Sequence, residues 1–76
     1  MKVQVDVKLL KEHMKGGGWT EAAFAKEIGI SRASLSAVLN EHRLPGYMIM
    51  KEMYRALQLT PEQANAIFFA RHLHLT

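Results

Sequence analysis

The chain has 76 residues, no cysteine, ten Lys and Arg against seven Asp and Glu, and a formal net charge of +3. Without cysteine neither a disulfide framework nor a thiolate metal site can supply stability, and the chain holds no long uncharged run of the kind a spanning helix or secretion signal needs. These features point to one small soluble domain over residues 1–76, cytoplasmic by default, whose slender core would gain from dimerisation and whose mild basic excess fits a nucleic-acid partner without requiring one.

The first segment, KVQVDV over residues 2–7, alternates Val3, Val5 and Val7 with Gln4 and Asp6, a possible short N-terminal strand that cannot stand alone. Asp6 is also an N-cap for a first helix over about residues 7–15, where Val7, Leu10 and Met14 recur at helical spacing and Gly16, Gly17 and Gly18 end the run. Trp19 follows as a packing anchor. Thr20 caps a second helix in which Ala22, Ala23 and Ala25 favour helix and Phe24 and Ile28 share a face; Gly29 stops it. Ser31 caps a third, with Leu35, Val38 and Leu39 as a narrow apolar stripe and Arg32, Ser34 and Ser36 off it. A fourth helix over about residues 47–57 turns Met50, Met53, Tyr54 and Leu57 inward, with Leu59 packing in the turn. TPEQ at residues 60–63 then opens a fifth helix, with Thr60 at the cap, Pro61 at the first helical position and Gln63 as the return partner of a capping box. This helix is expected to reach Ala70 or beyond.

With Ala25 in the middle of one helix, Gly29 four residues later and Leu35 facing back from the next, residues 19–45 resemble the helix-turn-helix of the lambda-repressor and Cro-like family, also called the XRE type. Leu10 matches that family's core position in the first helix, and PGYMIMKEMYRALQLTPEQ resembles its fourth helix and the cap that follows, so the resemblance covers roughly residues 7–69. It implies an all-α, compact five-helix DNA-binding fold with the motif at about residues 20–40 and a C-terminal tail at about 71–76. The physical need is clear: a small Ala25 lets two helices cross closely, and glycine accepts the left-handed turn. Phe24, Ile28, Ile30 and Val38 then fill the wedge.

Two positions depart from the family pattern. An arginine late in the first helix and a glutamate late in the third often form an ion pair, but here the positions hold Met14 and Leu39, an apolar replacement that leaves no orphaned charge and predicts that the two side chains meet. Glu21 stands where related repressors often carry a phosphate-bonding glutamine, and its carboxylate repels phosphate.

The resemblance further implies that the third helix enters the major groove of double-stranded DNA. Arg32, the one long donor at its start, is then the expected base reader, suited to guanine O6 and N7. Ser34 and Ser36 donate to bases or phosphate, Ala33 and Ala37 lie against thymine methyls, and Asn40, His42 and Arg43 anchor the DNA backbone just beyond the helix. Thr20 and Ser31 add phosphate contacts. One such module has a small footprint, so a homodimer on half-sites about 34 Å apart is expected. The C-terminal stretch ANAIFFARHLHLT supplies its surface: Ile67 and Phe68 face the core, leaving Phe69, Leu73 and Leu75 for a partner, with the N-terminal strand as rival.

Other chemistry has little to rest on. His13, His42, His72 and His74 show no convincing ligand spacing and no completing carboxylates, so no metal is expected, and no cofactor either. The glycine triplet lacks the lysine and hydroxyl residue of a P-loop. Scattered serines with no base in reach argue against an enzyme. The sequence therefore reads as a DNA-binding transcriptional regulator, a small phage or mobile-element repressor occupying an operator. An antitoxin offering its C-terminus to a toxin, or an antirepressor-like interaction module that has lost DNA binding, are the alternatives; Glu21 and the modest charge keep the last open.

Overall fold

The computed structural model describes residues 5–69. They fold into five helices, α1 (Val7–Gly16), α2 (Glu21–Ile28), α3 (Arg32–Leu39), α4 (Tyr47–Leu57) and α5 (Pro61–Phe68), with no strand among the described residues. The architecture is all-α and lambda-repressor-like.

Local chemistry sets the helix starts. The carboxylate of Asp6 accepts the Leu9 N–H at 3.0 Å, the hydroxyl of Thr20 that of Ala23 at 3.1 Å, and the hydroxyl of Ser31 that of Ser34 at 3.0 Å. Each satisfies one donor that the first helical turn leaves unpaired. At α5 the cap is reciprocal: Thr60 Oγ1 accepts the Gln63 N–H at 3.1 Å while Gln63 Oε1 accepts the Thr60 N–H at 2.9 Å. Gly46 precedes α4 with no side-chain cap.

The helix exits share one device. Gly18, Gly29, Glu41 and Gln58 have φ of +77°, +82°, +62° and +52°. After each, the next N–H reaches back five residues to a carbonyl of the helix just left: Trp19 to Met14, Ile30 to Ala25, His42 to Ala37 and Leu59 to Tyr54. These bonds close the last turn and reverse the chain.

Each helix contributes one fully buried large side chain, Leu10, Phe24, Leu35, Met53 and Ile67 in chain order, and among the described residues no polar or charged side chain is buried. Burying these groups is the main favourable term in folding. Val5, Met14, Ala25, Ile28, Val38, Leu39, Leu59 and Phe68 complete the cluster, with Ile30 packed at its margin. Trp19 sets its ring edge-on to Phe24 at a centroid separation of 5.5 Å. Met14 and Leu39 are both buried and border the same crevice, as apolar substitutes for an ion pair should. Helix α2 packs on α3 and α4, and α1 on α3 and α5. The Asp6 N–H donates to the Ile67 carbonyl at 2.6 Å, tying the entry of α1 to α5.

Three expectations need correction. Asp6 and Val7 belong to the cap and first turn of α1, and Val5 is buried in the helical core, so these three residues form no strand; residues 2–4 lie outside the described residues. Met50, Met53 and Leu57 face the core as expected, together with Ile49 and Ala56, but Tyr54 is exposed because it falls at the edge of that face. Helix α5 ends at Phe68: Phe69 leaves helical geometry at φ −131° and ψ 32°, short of Ala70.

Candidate nucleic-acid interface

Helix α3 has a buried face and an open one. Leu35, Val38 and Leu39 point into the core, and Ala33 lies opposite them and is exposed, with half-buried Ala37 one turn on. By helical spacing Arg32 and Ser34 fall on opposite edges of this small-residue surface. Arg32 is exposed and is the only charged residue within α3. Half-buried Ser36 accepts from the Asn40 amide at 3.2 Å, which aligns the two along the outer side. The first turn of α3 holds no acidic residue, so its amide end presents an uncancelled positive dipole.

Ser34 is half-buried, and its hydroxyl oxygen accepts from Ser31 Oγ at 3.0 Å and from Arg43 Nη1 at 3.4 Å. The structure thus brings Arg43 to the first half of α3. His42 is exposed beyond the helix end. Thr20 and Ser31 are exposed, and the hydroxyl of each holds its own helix cap. Glu21 is exposed as the acidic residue in the first turn of α2, and it borders a crevice that Lys11 and Lys15 also line. Leu73 and Leu75 lie outside the described residues; Phe69 is 37% exposed.

Sequence reasoning passed over two features. Arg55 Nη2 lies 2.9 Å from Glu52 Oε1 and 3.1 Å from Glu27 Oε2, and it donates to the Glu27 carbonyl at 3.3 Å. It thereby links α4 to the end of α2, one of the two helices on which α3 packs. The hydrogen bonds with Glu52 and then Glu27 push the Arg55 pKa up, keeping the guanidinium charged. The spacing of Glu52 and Arg55 signals half of this link, but nothing local signals Glu27. The second feature is the exposed apolar group Leu44, Tyr47 and Met48, which an unusually apolar entry to α4 could have flagged.

Among the described residues no three His, Asp or Glu side chains gather as metal ligands would, and no helix is long and apolar enough to cross a membrane. His72 and His74 lie outside the described residues. A helix-turn-helix family model matches residues 10–63 of the chain, from Leu10 in α1 to the capping box of α5. No curated protein and no solved structure matches it.

Proposed function

The chain belongs to the Cro/C1-type helix-turn-helix family of DNA-binding transcriptional regulators, the XRE family, and from that premise we propose that it acts as a small phage or mobile-element repressor that occupies an operator as a homodimer. Residues 1–76 act as one domain in this reading. The observation that carries it is the open face of α3: exposed Ala33 and half-buried Ala37, edged by an exposed Arg32 and free of acidic side chains. Small side chains let a helix backbone approach the groove floor, and a guanidinium at its start reaches a guanine edge.

Arg32 reads a base pair; Ala33 and Ala37 meet thymine methyls; Ser36 bonds bases or phosphate on the outer side. Thr20, Ser31, Asn40 and His42 contact the DNA backbone, the first through its hydroxyl and both Thr20 and Ser31 through helix N-terminal amides. Lys11 and Lys15 beside Glu21 support this by limiting the repulsion that its carboxylate exerts on a phosphate. Dimerisation uses Phe69 with Leu73 and Leu75, and a protein partner at the C-terminus would compete for the same residues. The exposure of Phe69 supports that assignment.

Selection of binding sites from random duplexes tests the proposal. It should recover a two-fold symmetric sequence whose half-sites lie about one helical turn, roughly 34 Å, apart. Recovery of a single asymmetric half-site would contradict the homodimer, and recovery of no preferred sequence would contradict operator recognition.

A further inference from the structure

We infer that Arg43 is a second specificity-determining residue, held beside the first half of α3 by Ser34, and that Ser34 is its positioning residue and not a base reader. The inference deepens the DNA-binding reading of α3 and rests on it.

In sequence Arg43 lies beyond the C-terminal end of α3, the end far from the base-reading first turn. The fold removes that separation. Glu41 adopts a left-handed φ of +62°, and the N–H groups of Glu41 and His42 return to the carbonyls of Val38 and Ala37 at 3.1 and 2.9 Å. The chain therefore doubles back along the helix it has just left. Pro45 is buried and fixes the path that follows. Arg43 then lines a crevice with Ile30, Ser34, Val38 and Pro45, and its Nη1 donates to Ser34 Oγ at 3.4 Å, across nine residues of sequence.

Satisfiability assigns the role of Ser34. A hydroxyl oxygen has two acceptor positions, and here Ser31 Oγ and Arg43 Nη1 take both. Only the hydroxyl hydrogen is then left for a base, and the half-burial of Ser34 shortens its reach. Arg43 is the opposite case. Both ion pairs among the described residues belong to Arg55, so no described carboxylate claims the Arg43 guanidinium. A guanidinium has five N–H donors in a planar fork, and with one held by Ser34 the rest can still form a bidentate contact to a guanine edge. Helix α3 thus offers a floor of Ala33 and Ala37 with one arginine on each edge, Arg32 and Arg43, reading two base pairs.

Relative affinities across every single-base variant of the selected site, at one salt concentration, test this for the unmodified chain and for Arg43→Ala, Ser34→Ala, Ser34→Thr and the double variant Ser34→Ala/Arg43→Ala. The expected result is that Arg43→Ala abolishes preference at one base pair distinct from that of Arg32. Ser34→Ala should weaken preference at that same pair at least threefold, the double variant should behave as Arg43→Ala alone, and Ser34→Thr should retain the preference. A uniform loss across all sequences from Arg43→Ala, or a separate base pair affected by Ser34→Ala, would overturn the inference. An NMR measurement on the free protein separates this failure from failure of the DNA-binding reading: the Arg43 Nε–H should be ordered on the ps–ns timescale and lose order in Ser34→Ala, with an unchanged unfolding midpoint. Equal Arg43 order in both proteins would reject the positioning role even if the chain binds DNA as proposed. Absence of affinity for any duplex would instead remove the DNA-binding reading, and the inference with it.

Discussion

Gly29 holds the turn between α2 and α3 at a φ of +82°, and a Cβ placed there would meet no atom within 4 Å. The demand for glycine is therefore conformational and not steric. Gly29→Ala should lower unfolding stability by about 1 kcal/mol, the usual cost of a left-handed non-glycine residue, and chemical denaturation that finds the variant as stable as the parent would refute it. At Arg32 the effect belongs to binding: Arg32→Ala should cost about 1 to 3 kcal/mol and relax preference at one base pair, whereas an equal loss on every sequence would assign Arg32 to the DNA backbone. The turn at Gly29 and the exposed place of Arg32 at the start of α3 were both legible in the sequence because each is local, a glycine at a turn and a lone long side chain among small residues. The contact between Ser34 and Arg43 was not legible, because it depends on a chain reversal at Glu41, and a non-glycine residue at positive φ leaves no signal in composition or spacing.

At the scale of the element, the helix starts were readable for the same reason: Asp6, Thr20, Ser31 and Thr60 each carry an oxygen that accepts a first-turn N–H, and all four make that bond. The exits were readable only where glycine marks them. Glu41 and Gln58 perform the same left-handed closure as Gly18 and Gly29, at the conformational cost that a side chain imposes. Gln58 is exposed and left-handed, so Gln58→Gly should stabilise the protein by about 0.5 to 1 kcal/mol, once the lost strain is set against the added freedom of the unfolded chain. A lowered denaturation midpoint would show that the Gln58 side chain contributes packing not visible in its exposure. The rotation of α4 was the least legible feature. Helical periodicity allowed Tyr54 on the inner face, but Arg55 joins Glu52 to Glu27 at the end of α2, and the row Ile49, Glu52, Ala56 lies on that flank, leaving Tyr54 at the far edge. The ion-pair partner on that flank, Glu27, sits on another helix and has no trace in the local pattern.

For the whole molecule, order and type of the five helices followed from punctuation by glycine, proline and caps, and membership of the helix-turn-helix family extends over residues 10–63. Dimerisation is less determined: Phe69 is exposed as the apolar surplus at the C-terminus suggests, Leu73 and Leu75 lie outside the described residues, and Leu44, Tyr47 and Met48 form a second exposed apolar group. A net charge of only +3 puts the weight of DNA affinity on where the cations lie and not on their number. The central claim is that α3 and its surroundings engage a phosphate-lined groove, and neutralised phosphates release counterions in proportion to the contacts made. Titration of duplex binding against salt measures this most directly. Affinity for the selected site should be strong at low salt and fall at least tenfold between about 50 and 200 mM, as even a few phosphate contacts require, whereas affinity that is absent at low salt, or unchanged across that range, would contradict the account.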